Sequence, residues 1–181
     1  MSSAATSVGS AVIGGHLLRH EFTHKQESEG TEIKTRSAQI RFEEAIVHII
    51  SDDHDGTKRL RKFLASKGLT VSTFASAAAY IVAQRDSRPA CLILDLVLPG
   101  VDGLEVQERL AGIGGPPIIF VTARADSLSI VLAMKNGAID FLIEPIDYAQ
   151  LITGVELAFA EDLRKRKELA EVRSLLARWQ T

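Results

Sequence analysis

Five short apolar runs, each closed by polar residues, constrain this chain more than any other feature: Ile46-Val47-His48-Ile49-Ile50, Thr70-Val71-Ser72-Thr73-Phe74, Cys91-Leu92-Ile93-Leu94, Ile118-Ile119-Phe120-Val121 and Ile139-Asp140-Phe141-Leu142-Ile143. Three of them are apolar almost without interruption, the pattern of strands covered on both faces. Segments of helical period separate them: Thr57 to Ser66 with Leu60, Phe63 and Leu64 on one face, Ser76 to Gln84, Leu104 to Leu110, and Leu128 to Lys135 stopped by Asn136-Gly137. A fifth helix is expected to start at the cap candidate Asp147 and run to Trp179. Strand and helix in alternation predict an α/β domain built on a parallel sheet.

At 181 residues the chain suits one buried core with extensions. We divide it into an N-terminal extension at 1–45, loosely ordered and rich in Ser, Thr, Gly, His and charge, a domain at 46–160, and a C-terminal helical extension at 161–181. The 21 basic and 23 acidic side chains nearly cancel, so no global field draws nucleic acid or an anionic membrane surface. Cys91, the sole cysteine, sits in an apolar run, reads as an inert core thiol and fits a reducing compartment. The start lacks the features of a signal peptide, and no window approaches the length of a membrane span. A soluble, cytoplasmic protein is expected.

Ligands of an open parallel sheet bind beyond the carboxyl ends of its strands. Those ends are followed here by Ser51-Asp52-Asp53, Asp95, Thr122-Ala123-Arg124 and Glu144-Pro145. Several carboxylates in one crevice repel one another unless a hard cation bridges them, and Mg²⁺ suits oxygen donors. Asp95, ending the central strand, is the candidate nucleophile toward phosphorus. Asp52 would ligate the metal directly, Asp53 less directly, and the Val97 carbonyl could add an oxygen. Thr122 offers a hydroxyl to a phosphoryl oxygen.

These residues resemble the receiver domain of two-component response regulators, closest to the receiver half of FixJ-type regulators. The resemblance rests on Val47 to Asp53, Leu94-Asp95-Leu96-Val97-Leu98-Pro99-Gly100-Val101-Asp102-Gly103, Phe120-Val121-Thr122-Ala123, and Ala133 to Phe141. It implies a flavodoxin-like (CheY-like) doubly wound five-stranded parallel sheet of order 2-1-3-4-5. It also implies phosphotransfer from a sensor histidine kinase to give an aspartyl phosphate, Mg²⁺ dependence, and a switch pair in Thr122 and Phe141. The protein is then a phosphoacceptor rather than an enzyme acting on other substrates, and signals to a downstream protein target.

Two positions depart from the family pattern. Ser51 stands where an acid is expected, which weakens the metal site, and Glu144 stands where a lysine is expected. Two unit charges about 5 Å apart at an effective dielectric near 20 interact by roughly 3 kcal/mol, so reversing that charge turns an attraction into a comparable repulsion. Arg124 is a possible compensating cation. The alternatives are a phosphate-independent pseudo-receiver scaffold and a truncated FixJ-type transcription regulator.

Outside the site, His16, His20 and His24 recur at four-residue spacing and read as scattered histidines of the extension rather than a metal row. The helix from Leu128 is apolar beyond its inner stripe through Ile130, Val131 and Leu132, in a region that serves receivers as a dimer surface, so a homodimer is expected. The basic cluster Arg164 to Lys167 reads as a solvated face, leaving nucleic acid disfavoured as a partner. Leu169, Val172, Leu176 and Trp179 then follow at a and d spacing, in a stretch resembling the linker helix of FixJ-type regulators.

Overall fold

The computed structural model describes residues 44–83 and 87–179. The loose order expected of the N-terminal extension and the histidines at 16, 20 and 24 lie outside the described residues.

The chain runs β1 (Ile46–Ile50), α1 (His54–Ser66), β2 (Thr70–Phe74), α2 (Ala77–Val82), β3 (Ala90–Asp95), α3 (Gly103–Gly112), β4 (Ile118–Thr122), α4 (Ser127–Lys135), β5 (Asp140–Ile143) and α5 (Tyr148–Trp179). A two-residue antiparallel pair, Val97–Leu98 against Val101–Asp102, shapes the turn after β3. The five main strands are parallel in the order β2-β1-β3-β4-β5, as the resemblance implies.

Alternation along the strands divides the core in two. In β3, Cys91 and Ile93 face a layer with Leu60 and Leu64 of α1 and Leu151, Val155 and Phe159 of α5. Leu92 and Leu94 face the opposite layer, with Tyr80, Val106, Leu110 and Ala133. A central strand covered on both faces is why β3 reads as an unbroken apolar run. Cys91 is fully buried, and that burial, aided by the negative charge of Asp162, pushes its thiol pKa far up, so it stays a core thiol.

Element ends differ from expectation where side chains cap them. Helix α1 starts at His54 rather than Thr57, because the Asp53 carboxylate accepts a hydrogen bond from the Asp55 amide at 3.1 Å. Helix α2 stops at Val82, where Ala83 turns extended. Helix α5 starts as expected: Asp147 accepts from the amides of Ala149 and Gln150. Its first half packs on the sheet, whereas every described residue from Lys167 onward is exposed.

Ion pairs within α5 engage three members of its basic cluster, Arg164, Lys165 and Arg166. Arg164 bridges Glu161 at 2.8 Å and Glu168 at 2.5 Å, and Arg166 meets the buried Asp162 at 2.6 Å. Asp162 also accepts the Ala90 amide at 2.9 Å, tying α5 to the start of β3. Among the described residues no helix is long and apolar enough to cross a membrane. Helix α4 leaves Leu128, Val131, Leu132 and Met134 exposed.

Candidate functional site

The carboxyl edge of the sheet gathers the loops after β1, β3, β4 and β5. At its centre a cleft of about 70 Å³ is walled by Ser51, Asp53, Thr57, Asp95, Ala123 and Glu144, and floored by apolar side chains of β1, β3, β4 and α1. Three of its walls carry carboxylates, and among the described residues none that lines it is basic.

Asp95 is half-buried at the end of β3, opposite Val121 of β4. Its Oδ1 accepts the Val97 amide at 3.1 Å, and its Oδ2 lies 3.4 Å from the Ser51 hydroxyl, which donates to it. Burial raises its pKa above the usual carboxylate range and the negative charge of Asp52 adds to the rise; the Val97 amide and the hydroxyls of Ser51 and Thr122 oppose it. The turn after Asp95 is held tight from below. The Gly103 amide donates to the Leu96 carbonyl at 2.8 Å, and a Cβ at Gly103 would stand 2.6 Å from the Asp95 carbonyl oxygen. Only glycine fits there without moving the backbone that carries Asp95.

The carboxylates after β1 have different surroundings. Asp52 is exposed. Asp53 caps α1, and its carboxylate covers Gly56 so closely that a Cβ there would meet Oδ2 at 2.1 Å. Ser51 accepts the Asp53 amide at 3.1 Å while donating to Asp95, so it links the two loops. Sequence reasoning registered Ser51 only as a missing acid and passed over Gly56, Thr57 and the packing role of Gly103. The one available signal was a glycine three residues after Asp53, inside a helix's first turn.

Thr122 is buried, and its hydroxyl is folded onto its own loop, donating to the Arg124 carbonyl at 3.0 Å. The Arg124 guanidinium is exposed and has no hydrogen bond or ion pair among the described residues. Phe141 is half-buried in β5 and stacks on Phe120, ring centroids 5.5 Å apart. Glu144 is exposed on the far wall, its amide donating to the Thr122 carbonyl at 3.0 Å, and the Glu144–Pro145 peptide is cis.

The site therefore brings together Asp95, Ser51, Asp53, Thr122 and Glu144, with Asp52 close enough to act on Asp95 by its charge. Among the described residues no three His, Cys, Asp or Glu side chains converge as a ready-made metal cluster. The donor set is nonetheless all oxygen and anionic, which fits a hard cation that keeps several of its waters.

A family model for the response regulator receiver domain matches residues 47–156. The chain belongs to that family. Among the receiver domain's relatives, Nodulation protein W of Bradyrhizobium diazoefficiens is 36% identical over 138 residues, covering 76% of this chain and 61% of that protein. Response regulator protein TmoT of Ectopseudomonas mendocina is 31% identical over 140 residues, 77% of this chain and 64% of its own length. The chain thus spans about three fifths of these curated relatives. Solved structures agree on the fold. The N-terminal part of FixJ superposes with a TM-score of 0.59 at 32% identity, covering 64% of this chain and 94% of that one. The response regulator StyR does so with a TM-score of 0.65 at 34% identity, covering 75% and 68%.

Proposed function

We propose that this receiver domain takes a phosphoryl group onto Asp95 from a sensor histidine kinase and signals, in the cytoplasm, by altered contacts with a downstream protein. The observation that carries the reading is the setting of Asp95: a half-buried carboxylate ending the central strand, held by the Val97 amide and the Ser51 hydroxyl, and facing an oxygen-lined cleft. A carboxylate oxygen of Asp95 attacks phosphorus in line; the new O–P bond forms as the N–P bond of phosphohistidine breaks, and the imidazole leaves with the electron pair. The product is an aspartyl phosphate, and no other enzymatic activity is assigned.

Bound Mg²⁺ would neutralise charge on the transferring group. Asp52 and Asp95 would hold it, with the Val97 carbonyl and, through water, Asp53, whose carboxylate is already engaged at the helix cap. The Thr122 hydroxyl would leave the Arg124 carbonyl for a phosphoryl oxygen, releasing the β4–α4 loop, and the Phe141 ring would move deeper along Phe120. The Arg124 guanidinium, unpaired among the described residues, lies on that same loop and would stand in for the lysine replaced by Glu144. The exposed apolar residues of α4 are the surface we assign to homodimer or target contact.

One observation favours a second reading. A cleft with three carboxylate walls and, among the described residues, no basic lining residue opposes a further negative charge, as expected of a phosphate-independent pseudo-receiver scaffold. Intact-protein mass spectrometry after incubation with acetyl phosphate and Mg²⁺ separates the two. A single phosphoryl adduct that disappears in Asp95→Asn supports the phosphoacceptor; no adduct with acetyl phosphate or with histidine kinases supports the scaffold.

A further inference from the structure

Among the described residues, the second half of α5 has no surface of its own domain to rest on. The stripe that seats α5 on the sheet, Leu151, Val155, Ala158 and Asp162, is buried and runs at alternating spacings of four, three and four residues. Lys165 interrupts it. The same stripe then resumes as Leu169, Val172, Leu176 and Trp179, each at least 51% exposed, with Leu175 beside them. A helix of this length standing free in water is marginal by itself, so an apolar seam repeated over two heptads calls for a partner helix.

Charge beside the seam specifies the partner. With Leu169 and Leu176 at a positions and Val172 and Trp179 at d, Glu168 falls at g and Arg173 at the following e. In a parallel pair of identical helices g of one faces the following e of the other, so Glu168 meets Arg173 twice, once on each side. An antiparallel overlap of residues 169–179 instead sets e against e, bringing the two Arg173 side chains together and leaving Glu168 without Arg173 as a partner. Glu168 binds Arg164 of its own helix through one oxygen, and Arg173 has no ion pair or hydrogen bond among the described residues. We infer that residues 169–179 form a parallel two-stranded coiled coil with a second copy of this chain, distinct from the α4 face and independent of phosphorylation.

Sedimentation equilibrium of the full chain across a wide concentration range tests this. The chain should dimerise reversibly, and Leu176→Glu should weaken the dimer by at least about tenfold, or 1.4 kcal/mol. Each of Glu168→Arg and Arg173→Glu alone should weaken it, and the two together should restore it to within about twofold of the parent. Val172→Cys should form a disulfide-linked dimer on mild oxidation, since d positions face each other. Unchanged thermal unfolding in every variant, measured at concentrations low enough for the monomer to dominate, would show that the domain is intact. A parent chain that stays monomeric, a dimer indifferent to Leu176→Glu, or a double charge swap that fails to restore affinity would each overturn the inference.

Discussion

Replacing Glu144 by lysine should raise the equilibrium phosphoryl yield at Asp95 by roughly tenfold or more, and the size of the effect follows from the cleft. Asp95 and Glu144 line the same cleft, and a separation of about 7 Å between charges on its two sides sets the scale. Glu144 is exposed, which places the effective dielectric nearer to about 40–80 than to 20, and one unit pair then interacts by about 0.6–1.2 kcal/mol. That is smaller than the roughly 3 kcal/mol expected for closer, less solvated charges. Phosphorylation adds about one negative charge, and Glu144→Lys changes the facing charge by two, so the phosphorylated state gains about 1.2–2.4 kcal/mol, or roughly 8- to 60-fold. The assay is the phosphorylated fraction by intact mass with acetyl phosphate and Mg²⁺, at low salt and again near 1 M, where the gain should shrink because exposed charges are screened. A ratio below about twofold at low salt, or one that salt leaves unchanged, would refute the electrostatic reasoning.

Three further outcomes follow from the same contacts. The folded-state pKa of Asp95 is raised, so its contribution to stability is present in the protonated form below the ordinary carboxylate pKa of about 3.9 and is lost as pH climbs through the raised value. In metal-free buffer Asp95→Asn should therefore gain stability relative to the parent between pH 4 and neutrality, read from urea midpoints; an advantage that does not grow with pH would count against it. Gly103→Ala forces a Cβ to within 2.6 Å of the Asp95 carbonyl oxygen, and should cost about 1–3 kcal/mol of stability while slowing phosphorylation by acetyl phosphate. Parent-like stability and rate would show that the turn yields freely. Asp162→Ala leaves the Ala90 amide without its acceptor and Arg166 without its carboxylate, at a cost of about 2–3 kcal/mol by chemical denaturation; a loss under about 1 kcal/mol would show that water replaces the carboxylate.

What the sequence determined is the part of the molecule governed by local pattern. Apolar periodicity distinguished doubly covered strands from half-covered ones because burial on two faces leaves no polar alternation, and β3 shows this most directly. Polar residues closing each run named the crevice, since parallel strands deliver their carboxyl ends to one edge. Helix starts were legible only within a few residues, as at α1, because a cap depends on where a side chain turns. Whether Ser51 was merely an absent acid or a donor to Asp95 could not be read, because the two loops meet across 44 residues of chain. Nor could the sequence show that Asp53 is drawn to the cap over Gly56, that the Thr122 hydroxyl faces the Arg124 carbonyl, or that Glu144 is solvent-exposed where it walls the cleft. Each is a choice of partner among groups that only the packed sheet brings together, and the strength of every charge in the cleft depends on the water that packing admits.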